Sequence, residues 1–195
     1  MDCDKNELAL CKFLLQKYAD IINEREKRTI GEIKALVDGN DLSVQSLADD
    51  FKEKDYSFEN NYSASLKKAF EYVSEEINFV EADLGMNYWL TPREVLEMKL
   101  ADDEDLAVFM CNLARALGDK SAEVIIAELD NLKTHAFVMT QIGEDSLILD
   151  PAQKHKFELY LGKKVDVLGK YDFQKQKIRK FLYRFNAEKY EQFLE

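Results

Sequence analysis

The sequence is poor in residues that form tight turns, disulfide frameworks and zinc sites. It contains seven glycines and two prolines among 195 residues. Because helices are also predicted at both ends, this scarcity favours an α+β domain. The three cysteines, Cys3, Cys11 and Cys111, are odd in number and lack zinc-ligand spacing, so we predict neither disulfides nor a zinc site. Cys11 and Cys111 are interpreted as buried structural thiols on apolar helix faces.

Long hydrophobic runs are also absent. The longest apolar stretches have only the length of a strand, which excludes a membrane-spanning helix. The segment from Met1 to Lys5 lacks the basic and apolar regions of a signal peptide. A chain of 195 residues is long enough for one substantial core. We therefore expect a soluble, cytoplasmic protein that makes no membrane contact.

Basic residues are fewer than acidic ones, with 27 against 38 and a net charge of −11. Residues 153–185 are the exception, because they hold ten of the bases and only three of the acids. The acidic remainder argues against nucleic acid as a partner. We interpret the basic segment either as a contact to the protein's own acidic helices or as a surface for an acidic partner.

Helical signals dominate the first part of the chain. Apolar residues recur at helical spacing over residues 6–24, and Thr29 with Glu32 has the pattern of a capping box. Residues 52–62 are polar and predict a linker. Residues 63–79 then predict a long amphipathic helix.

The C-terminal part is predicted to contain a hairpin and then a basic helix. Residues 157–161 and 164–168 alternate apolar and polar side chains on either side of Gly162, which indicates two strands. Residues 173–185 combine basic side chains with apolar ones at helical spacing. The predicted organisation has three parts, namely a helical N-terminal region over residues 1–58, a core over 59–168, and a basic C-terminal helix and tail over 169–195.

The stretch from Trp89 to Pro151 contains a recognisable order of elements. Thr91 and Pro92 begin a helix, because threonine caps it and proline fits the first helical position. A second helix, acidic at its start and ended by glycine, is predicted over residues 102–118. Three short runs of apolar or β-branched residues follow and predict strands at residues 124–129, 135–142 and 147–150.

This order resembles the transglutaminase-like superfamily of papain-like cysteine enzymes. In that family a tryptophan and a Thr/Ser-Pro helix start precede a segment of the type Gly-Asp-Cys-Glu-Asp. Its cysteine, at a helix N-terminus, forms a triad with a histidine and an aspartate on the following strands. His135 and Asp150 match the histidine and the aspartate. The acidic neighbours of the cysteine also match and are Asp102, Glu104 and Asp105. Asp103 stands at the cysteine position, and Ala101 stands at that of the glycine.

The resemblance covers residues 62–160. It implies an α+β papain-like core, in which a small antiparallel sheet packs on the helix that starts at Asp102, together with a helical N-terminal region. The residues at the triad positions are Asp103, His135 and Asp150. Trp89 and Asp102 are expected to line a cleft that binds a peptide or protein ligand.

Asp103 allows three interpretations. It can cap the helix, since aspartate is among the best residues near a helix N-terminus. It can mark an inactive domain that is retained as a peptide- or protein-binding module. It can also support changed chemistry, in which Asp103, His135 and Asp150 hold a metal ion or serve a hydrolase or acyl-transfer enzyme as acid and base. An interaction protein that uses the basic C-terminal helix is a further alternative. We favour the binding module, without a cofactor, because a carboxylate is a poor nucleophile toward an amide.

The aspartate at position 103 has an electrostatic consequence for the histidine. In the expected fold the His135 imidazole lies between Asp103 and Asp150, and both carboxylates favour its protonated form. We therefore predict a raised pKa for His135 and a fixed ion-paired triad.

Overall fold

The computed structural model describes residues 5–81, 85–86 and 88–194 and has an α+β fold. The helices are α1 (Lys5–Arg25), α2 (Ile30–Ala35), α3 (Leu42–Phe51), α4 (Phe58–Glu76), α5 (Pro92–Met98), α6 (Asp103–Ala116) and α7 (Lys164–Lys170). The strands are β1 (Asn78–Phe79), β2 (Leu100–Ala101), β3 (Glu123–Leu129), β4 (Thr134–Ile142), β5 (Asp145–Leu149), β6 (Leu161–Gly162), β7 (Ile178–Phe185) and β8 (Tyr190–Gln192).

The main sheet has the strand order β6-β5-β4-β3-β7-β8, and all of its pairs are antiparallel. Strands β1 and β2 form a separate parallel pair. Strands β3, β4 and β5 follow one another through short turns, so they become neighbours in sequence order. The start of β4 and the end of β5 therefore lie side by side.

Helix α6 occupies the centre of the domain. Every side chain from Leu106 to Ala114 is buried, as expected for a helix that is apolar on nearly all of its surface. The helix contacts β3 and β4 on one side and α3 and α4 on the other. The predicted packing of an antiparallel sheet on this helix is therefore confirmed.

The two helices next to the site begin with the predicted caps. The Thr91 side chain accepts a hydrogen bond from the Glu94 backbone N–H, and the Glu94 carboxylate accepts one from the Thr91 N–H at 2.8 Å. Asp102 caps α6 by accepting a hydrogen bond from the Asp105 N–H at 3.0 Å. Capping of this kind satisfies donors that a helix N-terminus leaves unpaired. It fixes where α6 starts, and so where Asp103 lies.

The predicted basic C-terminal helix is wrong, because residues 178–185 form strand β7. This strand is hydrogen-bonded to β3 on one side and to β8 on the other. Its arginines pair with acids of β3, Arg179 with Glu128 at 2.6 Å and Arg184 with Glu123 at 3.2 Å. Pairing on both edges outweighs the helical spacing of the apolar residues, which are aromatic or aliphatic types that also suit a strand.

The hairpin predicted on either side of Gly162 is also wrong. Residues 164–170 form helix α7, and residues 157–160 form a 3₁₀ turn. Val165 is 82% exposed, whereas Val167 is 4% exposed and Tyr171 is fully buried. Residues 167 and 171 are four apart and therefore share one face of a helix.

Helix α1 agrees with the helix predicted over residues 6–24, but every residue from Lys5 to Tyr18 is exposed. Its buried residue is Ala19, near the end that approaches the rest of the domain. Cys11 is consequently exposed, and its interpretation as a buried thiol is wrong, whereas Cys111 is buried as predicted.

Cys3 lies outside the described residues, as do positions 82–84 and 87. Among the helices that the structure describes, none combines the length and the apolar character needed to cross a bilayer.

Candidate functional site

Three elements of the core carry the triad positions. Asp103 is the first residue of α6, His135 is the second residue of β4, and Asp150 directly follows β5. The start of β4 lies beside the end of β5 because the two strands are antiparallel neighbours. Helix α6 packs across β4. The fold thus brings together three residues that are separated by up to 47 positions in the sequence.

The imidazole of His135 lies between the two carboxylates. Its Nδ1 is 2.8 Å from Asp103 Oδ2, and its Nε2 is 3.0 Å from Asp150 Oδ2. Both distances are those of hydrogen bonds. An imidazole that donates from both nitrogens is the protonated form. The geometry is therefore that of an ion-paired triad.

The pKa of His135 follows from competing effects of burial and charge. Burial alone would lower it, since the side chain is 1% exposed. The hydrogen bonds to Asp103 and Asp150, together with the charges of both carboxylates, outweigh burial and raise the pKa to about 9. This direction agrees with the prediction from the sequence. At neutral pH the imidazole is mainly protonated.

Asp150 is held by further hydrogen bonds that the sequence analysis did not identify. Its Oδ2 accepts one from the Tyr171 hydroxyl and one from the Gln153 side-chain amide, each at 2.7 Å. Burial would raise the pKa of Asp150, but the charge of His135 and these hydrogen bonds hold it below its usual value. Asp150 is therefore a fixed carboxylate.

Phe173 covers the face of the imidazole. The two rings are stacked with their centroids 3.6 Å apart and their planes at 15°. Tyr171 and Phe173 belong to the segment between α7 and β7, part of which was predicted as helix. Because residues 173–185 were predicted as a helix, the sequence analysis did not identify a role for these two residues at the site.

Asp103 makes a second contact besides the one to His135. Its Oδ2 accepts a hydrogen bond from the Ala136 backbone N–H at 2.8 Å. The carboxylate thus connects the first turn of α6 to two consecutive residues of β4. Its side chain remains 23% exposed, so one face of the site is open to solvent.

The remaining acids of the first turn are crowded around Asp103. Burial, reinforced by the neighbouring carboxylates, raises the pKa of Glu104 to about 8. Burial and the charge of Asp102 likewise raise the pKa of Asp105 to about 7. Asp105 is 4% exposed and accepts a hydrogen bond from the Leu90 N–H at 2.8 Å. Burial and mutual repulsion therefore favour the uncharged forms of Glu104 and Asp105 near neutral pH.

Two cavities meet at Asp103. A small one of about 80 Å³ is also lined by His135 and Phe173. A larger one, about 430 Å³, is also lined by Asp102 and Glu104 and will be called the acidic cleft. The acidic cleft has room for several side chains of a ligand.

The structure places the two predicted binding residues differently. Asp102 caps α6 and lines the acidic cleft next to Asp103. Trp89 is 6% exposed and packs edge-on against Phe185, with ring centroids 6.1 Å apart. It lines a separate cavity of about 420 Å³ together with Tyr183. Trp89 thus packs into the core, and the cavity that it lines does not include Asp103.

Two alternative nucleophiles in the described residues, Cys111 and Ser121, are not free to react. Cys111 is completely buried in α6, and burial raises the pKa of its thiol far above the usual value. Ser121 is engaged with Asp119 and Thr140. Among the residues that the structure describes, no three His, Cys, Asp or Glu side chains form a group that could hold a metal ion.

Comparison with known proteins identifies the fold. No protein-family model matches the chain, and no curated protein matches its sequence. The solved structure of Legionella pneumophila LapG aligns with a TM-score of 0.55 at 18% identity, covering 93% of this chain and 87% of LapG.

The chain has the fold of LapG. An EGTA-treated form of L. pneumophila LapG aligns at 18% identity with a TM-score of 0.53, covering 94% of this chain and 86% of LapG. The calcium-bound form aligns at the same identity and TM-score, covering 93% of this chain and 87% of LapG. These alignments confirm the predicted α+β papain-like, transglutaminase-type core. At this identity the likeness concerns the fold alone.

Proposed function

We propose that this protein is a catalytically inactive transglutaminase-like domain that binds a peptide or protein segment in the acidic cleft. The observation that supports it best is the 2.8 Å contact between Asp103 and His135. It occurs where the resembling family has the nucleophilic cysteine beside its base. The site keeps the base and the orienting carboxylate, and it keeps an open cleft of about 430 Å³.

The chemistry of the triad supports the inactive state. Amide hydrolysis by such a triad needs a nucleophile that can attack and a base that can accept its proton. The Asp103 carboxylate is a weak nucleophile toward an amide. His135, with a pKa of about 9, already carries its proton and donates to a carboxylate on each side. The site therefore supplies neither an effective nucleophile nor a base that can accept a proton.

Two alternatives receive less support. A metal ion coordinated by the triad would need a free lone pair on His135, but both ring nitrogens face carboxylates at hydrogen-bond distance. The interaction surface on a basic C-terminal helix loses its basis, because the segment is strand β7 and both of its arginines pair with acids. A cytoplasmic location and the absence of nucleic acid as a partner stay predictions.

The test is Asp103→Cys in a background that carries Cys3→Ser and Cys11→Ser. Cys111 can remain, because it is buried. The introduced thiol should react with iodoacetamidofluorescein at neutral pH roughly tenfold faster than Cys11 of the native chain, since a neighbouring imidazolium at a helix N-terminus stabilises thiolate. Adding His135→Gln should remove that advantage. Equal rates with and without His135 would contradict the proposed site.

A turnover assay tests inactivity directly. Fluorescein-labelled casein incubated with the native chain should remain uncut. Turnover by the native chain that Asp103→Asn abolishes would overturn the proposal, because it would make Asp103 a working catalytic group. Circular dichroism melting of each variant shows that the fold is intact.

A further inference from the structure

A second cavity, lined mainly by apolar side chains, adjoins the acidic cleft. Its volume is about 320 Å³, and it will be called the apolar groove. Its large apolar lining residues are Val80, Met86, Tyr88, Leu90, Met98 and Leu100. Met86 and Asp102 line both the apolar groove and the acidic cleft. The two cavities are therefore neighbours that share these two residues as a wall.

The side chains of the apolar groove are exposed to an unusual degree for their size. Val80, Tyr88, Met98 and Leu100 are 42% to 55% exposed, although all are large and apolar. Single exposed apolar residues are common, but a group around one concavity marks a binding surface. Tyrosine and methionine are also enriched at such surfaces, and methionine adapts its shape to a partner.

The acids between the two cavities repel one another and are partly buried, so a cation from outside the chain would favour their ionised forms. Glu81 of the acidic cleft pairs with Lys133 at 2.8 Å, and Asp103 pairs with His135. Three other acids have no salt bridge to a lysine or arginine in the part of the chain that the structure describes, and they are Asp102, Glu104 and Asp105. A ligand that spans both cavities must pass these carboxylates.

We infer that the ligand is an extended peptide segment in which a large apolar residue stands within two positions of a lysine or arginine. The apolar side chain fills the apolar groove, and the cation lies against Asp102 and Glu104. This inference rests on the proposed function. It adds the chemistry that the ligand must have, because burial of an apolar side chain supplies affinity and the charge pair supplies selectivity.

The test uses fluorescence polarisation with fluorescein-labelled peptides. The probe is Gly-Phe-Arg-Arg-Gly amide, and its matched partners are Gly-Phe-Glu-Glu-Gly, Gly-Ser-Arg-Arg-Gly and Gly-Ser-Glu-Glu-Gly amides. The native chain should bind the probe at least about tenfold more tightly than any of the other three, since one buried aromatic side chain or one desolvated charge pair is worth that much.

Substitutions test whether the peptide binds in the apolar groove and beside Glu104. Met98→Ser should weaken the Phe-Arg-Arg probe and leave the Ser-Arg-Arg peptide unchanged. Val165→Ser is the matched control, because Val165 is 82% exposed on α7 and does not line the apolar groove. Glu104→Lys should reverse the charge preference, so that the Phe-Glu-Glu peptide gains and the probe loses affinity. Melting curves show whether each variant is folded.

The inference is overturned if the four peptides bind equally or not at all, or if Met98→Ser behaves like Val165→Ser. The labelling experiment at position 103 separates this failure from that of the proposed function. Fast, His135-dependent labelling without selective peptide binding would keep the inherited site and reject the ligand chemistry. Cutting of casein by the native chain that Asp103→Asn abolishes would reject the proposed function itself.

Discussion

Asp103→Asn should lower the pKa of His135 from about 9 by about 1–3 units, the usual effect of an opposite charge at this distance. The asparagine oxygen can still accept the hydrogen bond from the Ala136 N–H, so the first turn of α6 keeps its connection to β4. Burial and Asp150 are unchanged. At 1.36 kcal/mol per unit, the change corresponds to about 1–4 kcal/mol in the preference for the imidazolium.

The assay is an NMR titration of the imidazole signals. The sequence contains two histidines, and their pKa values are shifted in opposite directions. Burial lowers the pKa of His155, whereas His135 titrates at about 9. The two signals should therefore separate clearly, and His155→Gln assigns them. Asp49→Asn is the matched control, since it removes an exposed carboxylate that pairs with Lys52 and leaves the triad intact.

Two results would refute the reasoning about the triad. One is a native His135 that titrates at or below the ordinary histidine value of 6.5, which would mean that burial prevails over the carboxylates. The other is a pKa that Asp103→Asn leaves unchanged or that Asp49→Asn shifts equally. Either result would show that the contact with Asp103 does not hold the proton.

The free energy of unfolding, measured with urea, should fall as the pH rises from 6.5 to 9. A pKa raised from 6.5 to about 9 stabilises the fold fully below 6.5, and the contribution of about 3 kcal/mol is lost as the pH passes the folded value. His135→Gln should therefore make the profile less steep, and the slope that remains up to about pH 8 is expected from Glu104 and Asp105, whose pKa values are also raised. Tyr171→Phe removes a donor to the buried Asp150 and should cost about 1–3 kcal/mol in the same assay; no loss would mean that the hydroxyl is dispensable. Gly39→Ala should lower the melting temperature, because its Cβ would come within 2.8 Å of a side chain of α6. Gly31→Ala, in an open helical position, should raise the melting temperature. Equal changes in melting temperature for the two variants would contradict the close packing at Gly39.

The family resemblance indicated the three triad positions, and local signals determine where the elements that carry them begin and end. Asp102 caps α6, which fixes Asp103 in the first turn. Short turns connect β3, β4 and β5, so their pairing follows the order of the chain. Once β4 and β5 are neighbours, His135 and Asp150 must approach each other. Each step needs only residues close in sequence.

The parts that could not be predicted depend on contacts between distant segments. The apolar residues of β7 have a spacing that also fits a helix, and the strand is selected by pairing with β3, about 50 residues earlier. Tyr171 and Phe173 reach the triad only because the chain returns to the sheet at β7. The exposure of Cys11 has the same kind of cause, since the helical pattern of α1 does not reveal that most of this helix lies outside the core.

Asp103 changes what the site does to a ligand without closing the cleft. Its Oδ2 accepts hydrogen bonds from His135 and from the Ala136 N–H, and a carboxylate is a poor nucleophile toward an amide. Under the proposed function, a bound peptide leaves uncut, and its binding to the native chain is an equilibrium process. Asp103→Cys supplies a thiol beside the same base, so the peptides that bind the native cleft should become the ones that the variant cuts. A variant that cuts the Phe-Arg-Arg and Phe-Glu-Glu peptides equally would show that the acidic first turn does not select the ligand, even with a working nucleophile in place.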